Sequence, residues 1–125
     1  MIKYDTHKQF DRDLKKLAKR FPSLLADFKR VKKNVIELNH ILQIDNHSIF
    51  EIPGFSTNNF SIWKIKKFAC QSLKGRGNRS GLRVIYGWCH HDKKVIFLEI
   101  YFKGDKENED RERIKEFVKN RNLII

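Results

Sequence analysis

Four basic side chains stand where strands would place them on one face: Lys64 and Lys66 in IWKIKKFAC, Arg83 in LRVIYGWCHH and Lys103 at the end of KVIFLEIYFK. Between the first two runs lies SLKGRGNRSG, in which Lys74, Arg76 and Arg79 alternate with glycines and small polar residues. Such clusters suit phosphates, because a guanidinium offers a fixed fork of donors to phosphate oxygens and an ammonium offers a point charge. Like charges held together also destabilise a fold unless something anionic fills the gap. An antiparallel sheet with one wet face routinely carries Lys and Arg, so charge alone does not decide the matter. The same sign from three separate strands, with Phe68 and Tyr101 among the charges and a basic loop at one end, favours phosphate binding over a merely solvated face. Glu99 is the carboxylate expected to offset them, as a partner of one cation.

The composition supports a polyanionic partner. Lys and Arg number 27 against 15 Asp and Glu, a net charge of +12, which suits nucleic acid or an acidic protein and says nothing about fold. With 125 residues, 40% of them hydrophobic and ten of them Phe, one domain over residues 1–125 is expected. No run approaches the roughly 20 apolar residues that cross a bilayer. The start, MIKYDTHKQFDRD, lacks the apolar core of a signal peptide, so a cytoplasmic location is expected. Cys70 and Cys89 sit in apolar runs without CxxC spacing and read as buried free thiols. His90 and His91 follow Cys89, but neighbours on a strand point to opposite faces, so the run cannot converge three ligands on one ion. Neither a metal nor another cofactor is expected.

The elements that must carry the basic residues follow from periodicity. Residues 2–5 form a short strand candidate. Thr6 is placed to cap a helix with Phe10, Leu14, Leu17 and Phe21 on one stripe, and Pro22 ends it and starts the next. The second helix carries Leu24, Leu25, Phe28, Val31, Val35, Leu38 and Leu42 at spacings of 3 and 4, and the two should form an antiparallel hairpin. Residues 43–61 lose the period and read as a loop with one short strand or turn. Strands are expected at 62–70, 82–91 and 94–103, joined by hairpin connections, followed by a charged helix striped with Ile114, Phe117 and Val118. The expected class is α+β: a strand, a helical hairpin, a three-stranded antiparallel meander and a C-terminal helix, with the helices on one sheet face.

Alternation then assigns the faces. Leu82, Val84, Tyr86 and Trp88 should face the helices together with Ile96, Leu98, Ile100 and Phe102, and with Trp63, Ile65 and Ala69. Lys67 falls on that inward side too, near a bend. The open side should then hold Lys64, Lys66, Phe68, Cys70, Arg83, Glu99, Tyr101 and Lys103.

Three of these runs taken together, Trp63-Lys64-Ile65-Lys66, Lys74 through Tyr86 and Leu98-Glu99-Ile100-Tyr101-Phe102-Lys103, resemble the C-terminal half of RelE/ParE superfamily toxins, above all the RelE-like and HigB-type members. The resemblance implies the RelE-like fold and the toxin of a type II toxin–antitoxin pair: an endoribonuclease that enters the ribosomal A site and cuts messenger RNA there without metal, inhibiting translation. In that reaction the RNA 2′-hydroxyl is the nucleophile, and a 2′,3′-cyclic phosphate and a 5′-hydroxyl result. Carried over by position, Arg83 and Lys103 would stabilise the charge that builds on the phosphoryl oxygens. Lys64 or Lys66, its pKa lowered by neighbouring cations, would move a proton or position the RNA. Lys74, Arg76 and Arg79 would grip phosphates of messenger or ribosomal RNA. The implied partners are messenger RNA, the ribosome and an acidic antitoxin segment that folds on binding, the free chain being monomeric.

The sequence departs from RelE after the strand-end lysine, where it reads Lys103-Gly104-Asp105-Lys106-Glu107-Asn108-Glu109-Asp110 and has no counterpart of the family's tyrosine. Tyr101, Tyr86, His90, His91 and Asp105 remain as candidates for the acid and base. Two alternatives stay open: a ParE-like gyrase inhibitor, against which Lys64, Lys66 and Arg83 argue, and a RelE-like protein that binds RNA without cutting it.

Overall fold

A computed structural model describes residues 2–123 apart from Asn46, Asn58, Lys74 and Asn78, and only the backbone of residues 121–123. In chain order the elements are β1 (Lys3–Thr6), α1 (Lys8–Arg20), α2 (Leu24–Val31), a π-helical stretch (Lys32–Glu37), α3 (Leu38–His40), β2 (Ile49–Glu51), β3 (Phe60–Ile65), β4 (Leu82–Cys89), β5 (Lys94–Phe102) and α4 (Arg111–Leu123). One sheet runs in the order β1-β5-β4-β3-β2. β1 lies parallel to β5, and the remaining pairs are antiparallel. The expected strand, helical hairpin, meander and final helix are present, and β2 is the short strand within 43–61.

Apolar spacing explains the first helix. Phe10 and Leu17 are buried, and Phe10 packs on Phe28 of α2 at 5.7 Å and Phe97 of β5 at 5.2 Å between ring centroids. The cap is one residue later than expected: Thr6 stays in β1 while the His7 ring Nδ1 accepts the Gln9 N–H at 3.2 Å. α1 ends at Arg20 before Pro22, and the Phe21 N–H closes onto the Leu17 carbonyl at 2.8 Å.

The second helix is not one α-helix. Its π-helical turn adds backbone per turn and slips the apolar stripe out of phase. Leu42, expected inward, is 62% exposed, while His40 turns in instead. The His40 ring stacks on Trp88 at 4.5 Å, meets Trp63 edge-on at 5.2 Å, and its Nε2 lies 2.8 Å from the Tyr86 hydroxyl.

Two cores sandwich the sheet, which corrects the expectation that all helices share one face. On one side α1 and α2 cover Leu82, Val84, Tyr86 and Trp88, as alternation predicts. On the other, Ile114 and Phe117 of α4 cover Ile62, Ile85, Cys89 and Leu98. Gly87 lets the ring of Phe117 pack closely there, since a Cβ would lie 3.2 Å from it and the ring would have to give by a few tenths of an ångström. In β5 the phase changes midway: Ile85 pairs with Glu99 but Tyr86 pairs with Phe97, so Leu98 is an extra residue. Val95 and Phe97 therefore face α1 and α2, and Ile96 and Leu98, expected there, face α4. Beyond the bulge Ile100 and Phe102 return to the expected side.

β3 stops at Ile65, five residues short of the expected end. Phe68 and Cys70, placed by alternation on the open side, instead pack under the helices, with Phe68 stacked 6.5 Å from Phe28. Ala69 and Lys67, placed inward, are exposed. Among the described residues no helix is long and apolar enough to cross a membrane.

Burial, reinforced by the charge of His90, pushes His40 down to about 4 from 6.5. The unfolded chain therefore takes up a proton below about pH 6.5 that the fold refuses until about pH 4, so this contribution to stability is complete above pH 6.5 and falls as pH drops. Between pH 7 and 4.5 the protein should lose about 2 kcal/mol more stability than a His40→Gln variant. Urea titrations of both at the two pH values measure this, and an equal loss would refute it.

Candidate functional site

The ends of three strands meet at one corner of the sheet. Lys66 follows β3 and donates its N–H to the Ser48 carbonyl at 2.9 Å. Arg83, second in β4, donates Nη1 to the Lys66 carbonyl at 2.8 Å and to its neighbour Leu82 at 3.2 Å. Lys103 follows β5 and donates its N–H to the Gly81 carbonyl at 2.8 Å. The expected cations Lys66, Arg83 and Lys103 are thus gathered at one sheet end, with Lys66 and Lys103 exposed and Arg83 half-buried. The Lys66 ammonium also sits 4.8 Å from the Phe50 ring centroid on β2.

The basic loop between β3 and β4 opens from the same end. Arg76 and Arg79 are exposed on it, and Lys74 lies outside the described residues. The loop is anchored at both of its roots. Ser80, fully buried, donates Oγ to the Phe68 carbonyl and accepts the Leu82 N–H at 3.1 Å. The other root is tied to the start of α2 around Asp27, which is 1% exposed. Asp27 Oδ2 accepts the Ser23 hydroxyl at 2.6 Å and the Gln71 N–H at 3.0 Å, and Arg30 pairs with Oδ1. Ser72 adds reciprocal bonds, its N–H and hydroxyl donating to Ser23 Oγ, both at 2.8 Å, and its Oγ accepting the Ser23 N–H at 2.9 Å. The Cys70 thiol lies 3.6 Å from the same hydroxyl, and burial pushes its pKa up. Both cysteines are buried and neither forms a disulfide, as expected.

Lys64 departs from its expected environment. It lies one pleat inward of Lys66 on the α4 side, and its ammonium pairs with Glu109 at 2.8 Å, the two side chains only 14% and 10% exposed. Burial pulls the lysine down, but hydrogen bonding and charge from Glu109 and Tyr101 outweigh it, so its pKa is raised rather than lowered. The segment that supplies Glu109, residues 104–110, crosses the end of the sheet between β5 and α4. It is fastened by Glu99, which is buried and accepts Lys106 Nζ and, at 2.8 Å, the Asp110 N–H. Asp110 Oδ1 in turn accepts the Arg113 N–H at 3.1 Å, capping α4.

The other candidates for proton transfer are widely scattered. Tyr86 is in the helix-side core, bonded to His40. His90 and His91 follow β4 at the far end of the hairpin from Arg83, about 20 Å away at the rise of an extended strand. Asp105 pairs with Arg20 of α1. Tyr101 alone of the set stands beside Lys64, whose ammonium is 5.8 Å from its ring centroid, directly opposite Arg83 in the ladder. Its hydroxyl is buried without a well-formed hydrogen bond, and burial raises its pKa against the pull of Lys64. Glu109 and Asp27 are the residues that pattern reasoning missed. The density of acids over 105–112, five carboxylates against two cations in so basic a chain, was the available signal for the first.

The order of helices and strands has a counterpart among solved structures. The archaeal RelE–RelB complex from Pyrococcus horikoshii OT3 is similar, with a TM-score of 0.51 and 16% identity, over 82% of this chain and 96% of that one. This chain has the RelE fold. A doubly substituted Escherichia coli toxin RelE in the free state aligns at a TM-score of 0.47, also at 16% identity, over 84% and 86% of the two chains. No protein-family model and no curated protein matches the sequence, so the RelE likeness is one of structure.

Replacing Asp27 by Ala strands the Gln71 N–H and the Ser23 hydroxyl and frees the root of the basic loop. It should cost about 2 kcal/mol in urea unfolding, because buried donors are left unpaired. Asp27→Asn, which keeps an acceptor, should cost less, and a loss below about 0.5 kcal/mol in Asp27→Ala would remove the anchor role.

Proposed function

We propose that this protein is the toxin of a type II toxin–antitoxin pair and cuts messenger RNA in the ribosomal A site. The observation that carries the proposal is the convergence of Lys66, Arg83 and Lys103 at one sheet end, beneath a basic loop pinned at both roots. Phosphoryl transfer from an RNA 2′-hydroxyl builds negative charge on the non-bridging oxygens, and cations held on strand ends stabilise it without reorganising. Arg83 and Lys103 take that role. Lys66 positions the backbone, and Arg76 and Arg79 hold flanking phosphates, with Lys74 assigned to the same grip by its place in the sequence. The net charge of +12 supports approach to RNA. An antitoxin partner is supported by the RelE fold, seen in the archaeal structure as a complex with RelB.

One observation favours a second reading, RNA binding without cleavage. Among the described residues beside Arg83, Lys64 is ion-paired and the Tyr101 hydroxyl is buried, so neither is exposed for proton transfer.

Induced expression of the wild type beside an Arg83→Ala, Lys103→Ala double variant, with messenger 5′ ends mapped during growth, separates these readings. The expected result is growth arrest with in-frame cuts in translated messages, reduced about a hundredfold or more in the variant. Arrest without cuts would point to gyrase or another target. No arrest at all would favour the RNA-binding relative.

A further inference from the structure

Among the described residues of the expected site, Lys64 is the one whose charged group is taken up by a carboxylate, and that carboxylate comes from an acidic segment. Glu109 brings negative charge to within 2.8 Å of the Lys64 ammonium, and Arg111 approaches the other oxygen at 3.6 Å. A carboxylate flanked by two cations presents what an RNA phosphate would present: an anionic oxygen pair to an ammonium and a guanidinium. Beside it the Tyr101 hydroxyl is buried next to the Lys64 ammonium, which pulls its pKa down against burial, in a residue only 5% exposed. A hydroxyl that meets an ammonium as acceptor still has its own proton to donate, which suits one more anionic oxygen beside Lys64. Both groups stand on the face, and next to the ladder position, that Arg83 occupies.

We propose that Lys64 and Tyr101 form a phosphate subsite continuous with Arg83, and that Glu109 occupies it as an internal stand-in until RNA displaces the 104–110 segment. The proposal rests on the RNA-directed reading above and adds its regulation. The segment is suited to exchange between two positions, since it lacks helix or strand structure and its charge runs opposite to that of the chain. Its closed position is held by the Glu99 bonds to Lys106 and the Asp110 N–H and by the Lys64–Glu109 pair. Acting as the reaction's base is the rival role for Glu109, and its environment disfavours it. Although burial alone would raise the carboxyl, bonding to Lys64 and the charges of Lys64 and Arg111 leave its pKa lowered, which weakens it as a proton acceptor.

The test is equilibrium binding of a short fluorescein-labelled RNA in which every 2′-hydroxyl is methylated, so that cleavage plays no part. Glu109→Gln should bind about tenfold tighter than wild type, because the fraction of chains with an open subsite rises. Glu107→Gln removes the same charge from the same segment without touching Lys64, and should change binding little. Adding Lys64→Met or Tyr101→Phe to Glu109→Gln should abolish or reduce the gain. Equal effects of Glu109→Gln and Glu107→Gln would overturn the stand-in and leave the RNA reading intact, whereas absence of binding by wild type and Glu109→Gln alike would overturn both. Unchanged binding with lost cleavage in Glu109→Gln would assign Glu109 as the base and end the proposal. A second measurement needs no variant. Amide exchange of residues 104–110 in the wild type should quicken when the methylated RNA is added, and unchanged or slowed exchange would refute displacement.

Discussion

A single extra residue in β5 sets the terms for everything around it. β5 lies between β1 and β4 and must serve two cores, and a strict alternation over its whole length could not give Phe97 to α1 and α2 while giving Glu99 to the 104–110 segment. The bulge at Leu98 resolves this by changing phase once. Ahead of it Val95 and Phe97 face the first core, and Phe97 gathers Tyr4, Phe10 and Phe28 around its ring. Behind it Glu99 and Tyr101 face the second, Tyr101 opposite Arg83 on β4 and Glu99 in line with Lys64 on β3 across Ile85. The basic corner and its acidic cover therefore depend on the same one-residue slip.

This also explains what could be read without the structure. α1, the Pro22 break and the two faces of β4 were legible because their periods run unbroken and the local breakers agree with them. β5 was half legible: its alternation is visible on both sides of Leu98, but a bulge made of ordinary apolar residues leaves no local mark. The run Lys66–Cys70 alternates as a strand does, yet Phe68 leaves the sheet because a better contact waits on Phe28. A contact 40 residues away in sequence is not written in the run itself. The π turn is hidden in the same way, since Leu42 continues the stripe on paper and His40 looks polar enough for solvent.

The candidate site was legible as a set of charges and not as a set of partners. Lys66, Arg83 and Lys103 converge because strand ends converge in a meander, which follows from topology. Lys64 shares their face and sign, but its state is decided by Glu109, a residue from a segment that reads as solvated. The chain's excess of cations is thus managed by position: the largely buried acids Asp27, Glu99 and Glu109 each take up a cation, while Arg76 and Arg79 stay exposed on the loop.

The parallel pairing of β1 with β5 has a consequence for the order in which the molecule can be made. Lys3 pairs with Lys94, so β1 leaves the ribosome long before the strand it needs. Until β5 emerges, α1 and α2 have no sheet to pack on, and until α4 follows, the face that carries Ile62, Ile85 and Leu98 is bare. So many non-local contacts make for slow assembly with apolar surface uncovered in the meantime. A nascent chain of this protein therefore cannot display its folded basic corner early. The surface that would engage RNA is assembled at nearly the same moment as the segment that covers Lys64.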